Sequence, residues 1–375
     1  MTDTKITLAE SEIFTHSMRI PMRRMHAVRF CVAAILLFCL AVVGRPGSAG
    51  GKWDYTPSTV EQQAVSVISA DSLRGHLSFI ASDLLKGRKN GSPGEVLAAE
   101  YIASQFRRAG LKEAGDDGYF QTASGDRKTP LRNVIGLLPG SDPKLADSYV
   151  LLTAHYDGVG PRPGSEGGWN AANDDGSGTV TVVEIASALA SLKERPRRSL
   201  VFMTFYGEET GGLGSRFYAQ HPIFPIEKTI ADVNLEQVGR TDSTEGDQSR
   251  RASLTGFDYS DLGEVFLRAG ALTGVTVYKH EQNSDRYFGA SDNAELALLG
   301  IPAHTLCVAF MFADYHGAGD TWQKVNYDNM ALTDKLIATA LLILAQSDEE
   351  PRWNPEVPRA SRFLEAWKKR HEAGK

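Results

Sequence analysis

The sequence predicts an α/β protein, a three-layer α/β/α sandwich around a mixed, mostly parallel β-sheet. Three observations predict it. Strand-like apolar runs alternate with helical patterns from about residue 58 to residue 348. The runs are nearly continuous in Val, Leu and Ile, as in strands covered on both faces. Polar residues break out at the carboxyl ends of the runs, where open sheets of this kind gather their working groups.

Residues 58–110 read as two helices. "GHLSFIASDLL" sets Leu77, Ile80, Leu84 and Leu85 on one helical face, and "PGEVLAAEYIASQFRRAG" opens at Pro93 and closes on Gly110. "LRNVIGLLPG" and "DSYVLLTAHYD" are short apolar runs bounded by turn residues, hence buried strands. "SGTVTVVEIASALASL" is helical, "RSLVFMTFYGEE" a strand, "GGLGSRFYAQ" the start of a helix and "TIADVNLEQVG" a further strand. A helix at 260–272, a strand around "VTVYK", a helix at 293–299, a strand at 301–310 and a long helix near 327–346 complete one domain, 58–348. The charged, Pro-rich tail 349–375 reads as a solvated arm with one short helix.

The N-terminus is different material. Arg19, Arg23, Arg24 and Arg29 precede an apolar run from Phe30 to Val43, followed by Gly47, Ser48, Ala49 and Gly50. The run falls short of the ~20 residues of a membrane span. Residues 1–50 therefore read as an extension plus a secretory signal peptide, which predicts a secreted or periplasmic domain; the alternative is a retained anchor with the domain outside. The signal pattern begins late, so Met18, Met22 or Met25 is the expected start. Phe38 before Cys39 is too bulky for a lipid-attachment site. With Cys31 and Cys39 in the signal, Cys307 alone remains, which excludes an internal disulfide and predicts an inert strand thiol. A net charge of −6 argues against a nucleic-acid partner. Oligomeric state is not legible.

"WNAANDDGSGT", residues 169–179, places Asp174 beside Asp175 with no cation nearby in sequence. Other acids and histidines follow the strands: His155 and Asp157 after "VLLTA", Glu208 and Glu209 after "LVFMTFYG", Glu236 after "IADVNL", and His316 shortly after "HTLCVAFMF". Singly, each has a bland explanation, such as a polar strand end or acids at a helix N-terminus. Together they are two imidazoles and several carboxylates at the ends of separate strands, a donor set suited to Zn²⁺ or a similar ion. Those strand ends carry no Lys or Arg, so the acids repel one another unless a cation sits among them.

"HYD", "NDDGSGT", "GEETGGLGS", "VNLEQVG" and "DYHGAGDTWQKVNYD", in that order, resemble peptidase family M28, the zinc aminopeptidases, over roughly residues 73–345. The upstream "HLSFIASDLLKGRKNGSPGEVLAAEYIASQFRRAGL" resembles the N-terminal region of secreted bacterial members. The resemblance implies the zinc-peptidase fold, peptide substrates and two Zn²⁺ ions, with Co²⁺ or Mn²⁺ as alternatives. His155, Asp174 and Glu236 would hold one ion, and Asp174, Glu209 and His316 the other. It also implies a cis Asp174–Asp175 peptide, with Asp175 positioning the turn and Asp157 fixing the His155 tautomer. Glu208 would be the general base, directed away from Glu209 as neighbours in an extended stretch are. Tyr315 would hydrogen-bond the oxyanion.

Two departures stand out. Glu236 occupies a position that is usually Asp in the family. The short "YFQTASGDRKTPLRN" leaves no room for the β-rich domain many secreted relatives insert there, so a more open cleft is expected. The competing readings are a single-zinc acyltransferase like the glutaminyl cyclases and a non-catalytic binding protein on the same fold. Among the remaining polar residues, Asp292 in "SDN" is expected to cap a helix and His304 to lie in the core. His280 and Asp285 are expected in a loop near the substrate pocket.

Overall fold

The first described helix begins at a reciprocal cap. The Ser58 hydroxyl accepts from the Glu61 amide, and the Glu61 carboxylate accepts from the Ser58 amide at 2.7 Å, which satisfies two otherwise orphaned donors. In this computed structural model, residues 51–123, 130–161 and 169–373 are described. The expected signal segment lies outside them. Helices span Thr59–Ser66, Ala70–Ile80, Pro93–Ala109, Gly178–Ala190, Leu213–Gln220, Leu262–Thr273, Asn283–Arg286, Asn293–Leu298, Tyr327–Gln346 and Ser361–Ala373.

The strands are β1 (Lys112–Glu113), β2 (Phe120–Ala123), β3 (Leu131–Leu138), β4 (Tyr149–His155), β5 (Ser199–Phe205), β6 (Thr229–Glu236), β7 (Asp242–Ser243), β8 (Gly246–Asp247), β9 (Arg251–Leu254), β10 (Thr276–Tyr278) and β11 (Ala303–Cys307). Nine of them form one sheet in the order β1-β3-β5-β4-β6-β11-β9-β10, with β2 also on β3. The centre, β5-β4-β6-β11, is parallel, while β3 and β9 pair antiparallel to its two sides. From β4 the chain moves to β5 on one side and then crosses to β6 on the other. The carboxyl ends of β4 and β6 therefore flank the point where strand order reverses, the usual place for a binding crevice.

Successive side chains on these strands face opposite layers, which is why the runs are apolar throughout. Val150, Leu152 and Ala154 of β4 and Leu200 and Phe202 of β5 join one core with Leu77, Ile102, Val180, Phe266 and Leu341. Leu151, Val201, Met203 and Phe205 join the other with Tyr218, Leu296, Trp353 and Phe363. Each fully buried Val, Leu, Ile, Met or Phe among them contributes roughly 1.5–3 kcal/mol. Among the described residues no helix is long and apolar enough to cross a membrane.

Four differences from the sequence-based expectation have physical causes. The helix from Ala70 stops at Ala81, and Lys86, Gly87 and Arg88 are all left-handed. Leu84 is thereby turned outward and is 81% exposed, off the face shared by Leu77 and Ile80. Residues 58–110 hold three α-helices, because the Ser58–Glu61 cap starts an additional one. The strand expected over 301–310 pairs only across Ala303–Cys307. The tail is not a solvated arm: it belongs to the compact unit Gly51–Lys375, with Trp353 and Phe363 only 2% and 1% exposed. Trp353 stacks on Phe363 at 5.0 Å and donates to the Gly300 carbonyl at 3.1 Å.

Candidate metal centre

Parallel register brings the strand ends to one rim. His155 is opposite Phe205 at the end of β5, and Glu236 is opposite Cys307. His155 closes β4, and its Nε2 lies 3.5 Å from both Asp174 Oδ1 and Glu236 Oε1. Asp174 sits in the turn Ala172–Ser177 that leads into the helix Gly178–Ala190, and the Asp174–Asp175 peptide is cis. Its other oxygen, Oδ2, is 2.9 Å from His316 Nε2, which is 3.2 Å from Glu209 Oε1. Two triads result, His155–Asp174–Glu236 and Asp174–Glu209–His316, each with one donor atom per residue within 4.8 Å of the others. Asp174 is common to both.

The donor atoms do not satisfy one another. Both ring nitrogens of His155, Asp174 Oδ2 and Glu209 Oε1 are buried without an aligned hydrogen bond, although partners lie within ion-pair distance. Atoms that crowd together without pointing at each other fit a shared central cation. The electrostatics agree. Burial pushes the Glu208 pKa up to about 10, with Glu236, Asp292 and Asp174 adding to the rise against the pull of His155. Burial and neighbouring carboxylates likewise raise Glu209 and Asp175. Asp174 and Glu209 together hold the His316 pKa up at about 10. So many desolvated acids in one place are what a pair of divalent ions would relieve.

Glu208 and Glu209 do diverge, but in a tight turn, Glu208–Thr210, and not in an extended stretch. Gly207, Gly211 and Gly212 around it all have φ between 66° and 93°. In such a turn neighbours are separated by roughly 120° about the axis. Glu208 consequently lines the cavity, 3.9 Å from His155 Nε2, while Glu209 faces His316. Asp157 accepts the amides of Glu208 at 2.9 Å and Glu209 at 3.3 Å, and its Oδ1 lies 3.3 Å from His155 Nδ1. Asp175 Oδ1 accepts from Gly178 and Gln237, tying the turn to the end of β6. Tyr315 stacks on His316, ring centres 4.0 Å apart, beside the cavity.

Three supporting residues escaped sequence reasoning. Asp320 accepts the amides of Asn173 and Asp174 at 2.9–3.1 Å and so clamps the turn. Asn173 Oδ1 accepts from Gly239 and Arg240, beyond β6. Ser291 donates to Glu236 Oε1 at 2.7 Å and accepts from Asn234 Nδ2 at 2.8 Å.

Asp292 does not cap its helix as expected. Its side chain makes no capping bond, it is buried, and its pKa is pushed up to about 7 by desolvation near Glu236 and Asp157. His304 is a core residue with both nitrogens engaged, by Ser260 and the Thr255 carbonyl. Asp285 faces Lys279 and Arg359 and does not line the cavity.

A cavity of about 120 Å³ adjoins the triads, walled by Tyr287, Ala290, Cys307, Phe310 and Met311. Cys307 is buried, yet it belongs to this wall. A hairpin, β7–β8, braces the wall from behind. Thr244 donates to the Met311 carbonyl at 2.9 Å, Ser243 bridges to Phe312, and Glu245 pairs with His280, whose ring packs on Phe310.

Comparison with known proteins identifies the family and the fold. Residues 133–341 match the model of peptidase family M28. A probable zinc metalloprotease of Pyrenophora teres f. teres (strain 0-1) is 28% identical over 199 residues, 49% of this chain and 42% of that protein. The chain spans less than half the length of several such curated relatives. In fold it is similar to the LapA aminopeptidase of Legionella pneumophila, at TM-score 0.62 and 23% identity over 79% of this chain and 77% of that one. It is also similar to the glutaminyl cyclase of Porphyromonas gingivalis, at TM-score 0.56 and 21% identity over 73% and 97%. Taken with the ordered motifs and the paired triads at the sheet rim, the family match shows that the chain belongs to peptidase family M28.

Proposed function

We propose that the protein is an exported, dinuclear-zinc aminopeptidase that removes N-terminal residues from peptides. The observation that carries this is the pair of triads sharing Asp174. His155, Asp174 and Glu236 would hold one ion, and Asp174, Glu209 and His316 the other. When bound, the ions lower the pKa of water and polarise the scissile carbonyl. Glu208, which faces the cavity, takes the proton of the attacking water and returns it to the departing amine. Tyr315 donates its hydroxyl to the carbonyl oxygen as charge develops there. Asp157 holds His155 and the Glu208–Glu209 turn in a fixed relation.

The cavity lining favours an amino terminus. Among the described residues it presents Glu208, which belongs to neither triad, and no Lys or Arg, so a free α-ammonium finds a carboxylate and a C-terminal carboxylate meets no guanidinium clamp. Its Tyr287, Phe310 and Met311 walls suit an apolar first side chain. Export rests on the basic and apolar pattern of residues 18–50.

Metal analysis together with free and N-blocked peptides tests the reading. Two ions per chain and cleavage of free N-termini only are expected. One ion with cyclisation of N-terminal glutamine would replace it with the cyclase alternative. Chelation is expected to inactivate the enzyme and zinc or cobalt to restore it, whereas Asp174→Asn is expected to lose both ions.

A further inference from the structure

Arg88 is fully buried, yet none of its hydrogen-bond acceptors is a carboxylate. Nε donates to the Tyr156 carbonyl at 2.7 Å, Nη1 to those of Ile80 and Asn170 at 2.8 Å, and Nη2 to that of Ala171 at 2.7 Å. Removing a guanidinium from water costs several kcal/mol, so four backbone acceptors and no salt bridge among the described residues call for a reason. The acceptors supply one. Tyr156 lies between His155 and Asp157, and Asn170 and Ala171 lead directly into the turn that presents Asp174.

The chain is shaped to deliver this side chain. Lys86, Gly87 and Arg88 have φ of 49°, 68° and 51°, a left-handed run costly for the two that carry a Cβ. At Gly87 an added Cβ would meet the Trp169 carbonyl at 1.9 Å, so this turn is pressed against the segment Arg88 binds. At Gly176, just beyond the acid pair, an added Cβ would lie 3.5 Å from Arg88 Nη2. The guanidinium therefore sits directly beneath the turn. Burial pushes its pKa down, while Asp157, Asp320, Asp175 and Asp174 push it back up.

We propose that Arg88 is a positioning residue for the two-ion centre, fastening the end of β4 to the turn that carries Asp174 and leaving one fixed positive charge behind the acids. The proposal rests on the two-ion reading above. Arginine is specified because its planar fork reaches four carbonyls at once, where the lysine ammonium is a single point with three donors. The strand ends themselves carry no Lys or Arg, and Arg88 brings a guanidinium from a separate part of the chain.

Zinc titration of the metal-free protein tests this with wild type, Arg88→Lys and Arg88→Gln. Wild type taking up fewer than two ions would undo the two-ion reading itself. With wild type binding two, both variants are expected to bind them about 10- to 100-fold more weakly, the usual effect of losing a residue that orients ligands. Arg88→Lys, which keeps a three-proton donor for the carbonyls, is expected to be less affected than Arg88→Gln. At saturating zinc, kcat is expected to fall with KM unchanged, since Arg88 does not line the cavity. Wild-type affinity and kcat in both variants would overturn the proposal.

Should the variants fail to fold, side-chain ¹⁵N spectra of arginine in the wild-type protein decide. A slowly exchanging guanidinium whose signals move on zinc addition supports the proposal, and one that exchanges freely or ignores zinc overturns it.

Discussion

Ser291 offers a test that separates the two triads. Its hydroxyl donates to Glu236 Oε1 at 2.7 Å and accepts from Asn234 Nδ2 at 2.8 Å, so it fixes the carboxylate arm that is one methylene longer than the usual aspartate. Ser291→Ala removes one hydrogen bond to a charged group, worth about 1.5–3 kcal/mol. Asn234 Nδ2 keeps Thr305 Oγ1 as a partner at 3.1 Å, so little is added by an orphaned donor. At about 1.4 kcal/mol per factor of ten, the loss corresponds to roughly 10- to 100-fold. It should fall on the ion that His155, Asp174 and Glu236 would hold, because Ser291 makes no hydrogen bond to Glu209 or His316. Competition of the metal-free variant against a chromogenic chelator reads the two equivalents separately. One weakened and one unchanged equivalent is the expected result. Two unchanged equivalents, or equal weakening of both, would refute the assignment of Ser291 to Glu236.

Three further outcomes are expected. Glu208→Gln should lower kcat by about 10²–10⁴ or more while metal content stays at the wild-type level, because Glu208 belongs to neither triad; retained turnover in a steady-state assay would remove it as base. Trp353→Ala should cost roughly 3–5 kcal/mol in urea unfolding, since it empties a site packed by Phe288, His304 and Phe363; a loss near zero would return the tail to solvent. Burial holds the His304 pKa down at about 4, against an unfolded value near 6.5. The unfolded state therefore binds more protons between those values, and His304's stabilisation, complete above pH 6.5, is lost as pH falls toward 4. Full expression of that gap is on the order of 3 kcal/mol. His304→Asn should flatten the stability–pH slope in that window, and an unchanged slope would count against it.

The central strands were legible because each is apolar on both faces, and their carboxyl ends were marked by the first polar residues. The donor set was legible in type from His155, Glu209, Glu236 and His316 at those ends. Its pairing about Asp174 came from resemblance, and the geometry brings the same five positions together. What the sequence concealed is mostly side chain reaching to distant backbone. Arg88 to Tyr156 and Asp320 to Asn173 bridge 68 and 147 residues, and no local pattern marks either contact. Leu84 misled because helical periodicity was extended across a left-handed turn. Trp353 and Phe363 misled because Pro and charge around them resemble a solvated tail, whereas two aromatic side chains are enough to dock it.

The β7–β8 hairpin limits how a peptide can be held. By bonding to Met311 and bridging to Phe312, it already uses backbone groups of the wall beside the cavity. An incoming chain cannot add itself there as an extra strand, the common way for a groove to grip an extended segment along its length. On the aminopeptidase reading proposed above, recognition on that side would fall to the first residue and its ammonium, so a dipeptide and a long peptide with the same start should compete almost equally.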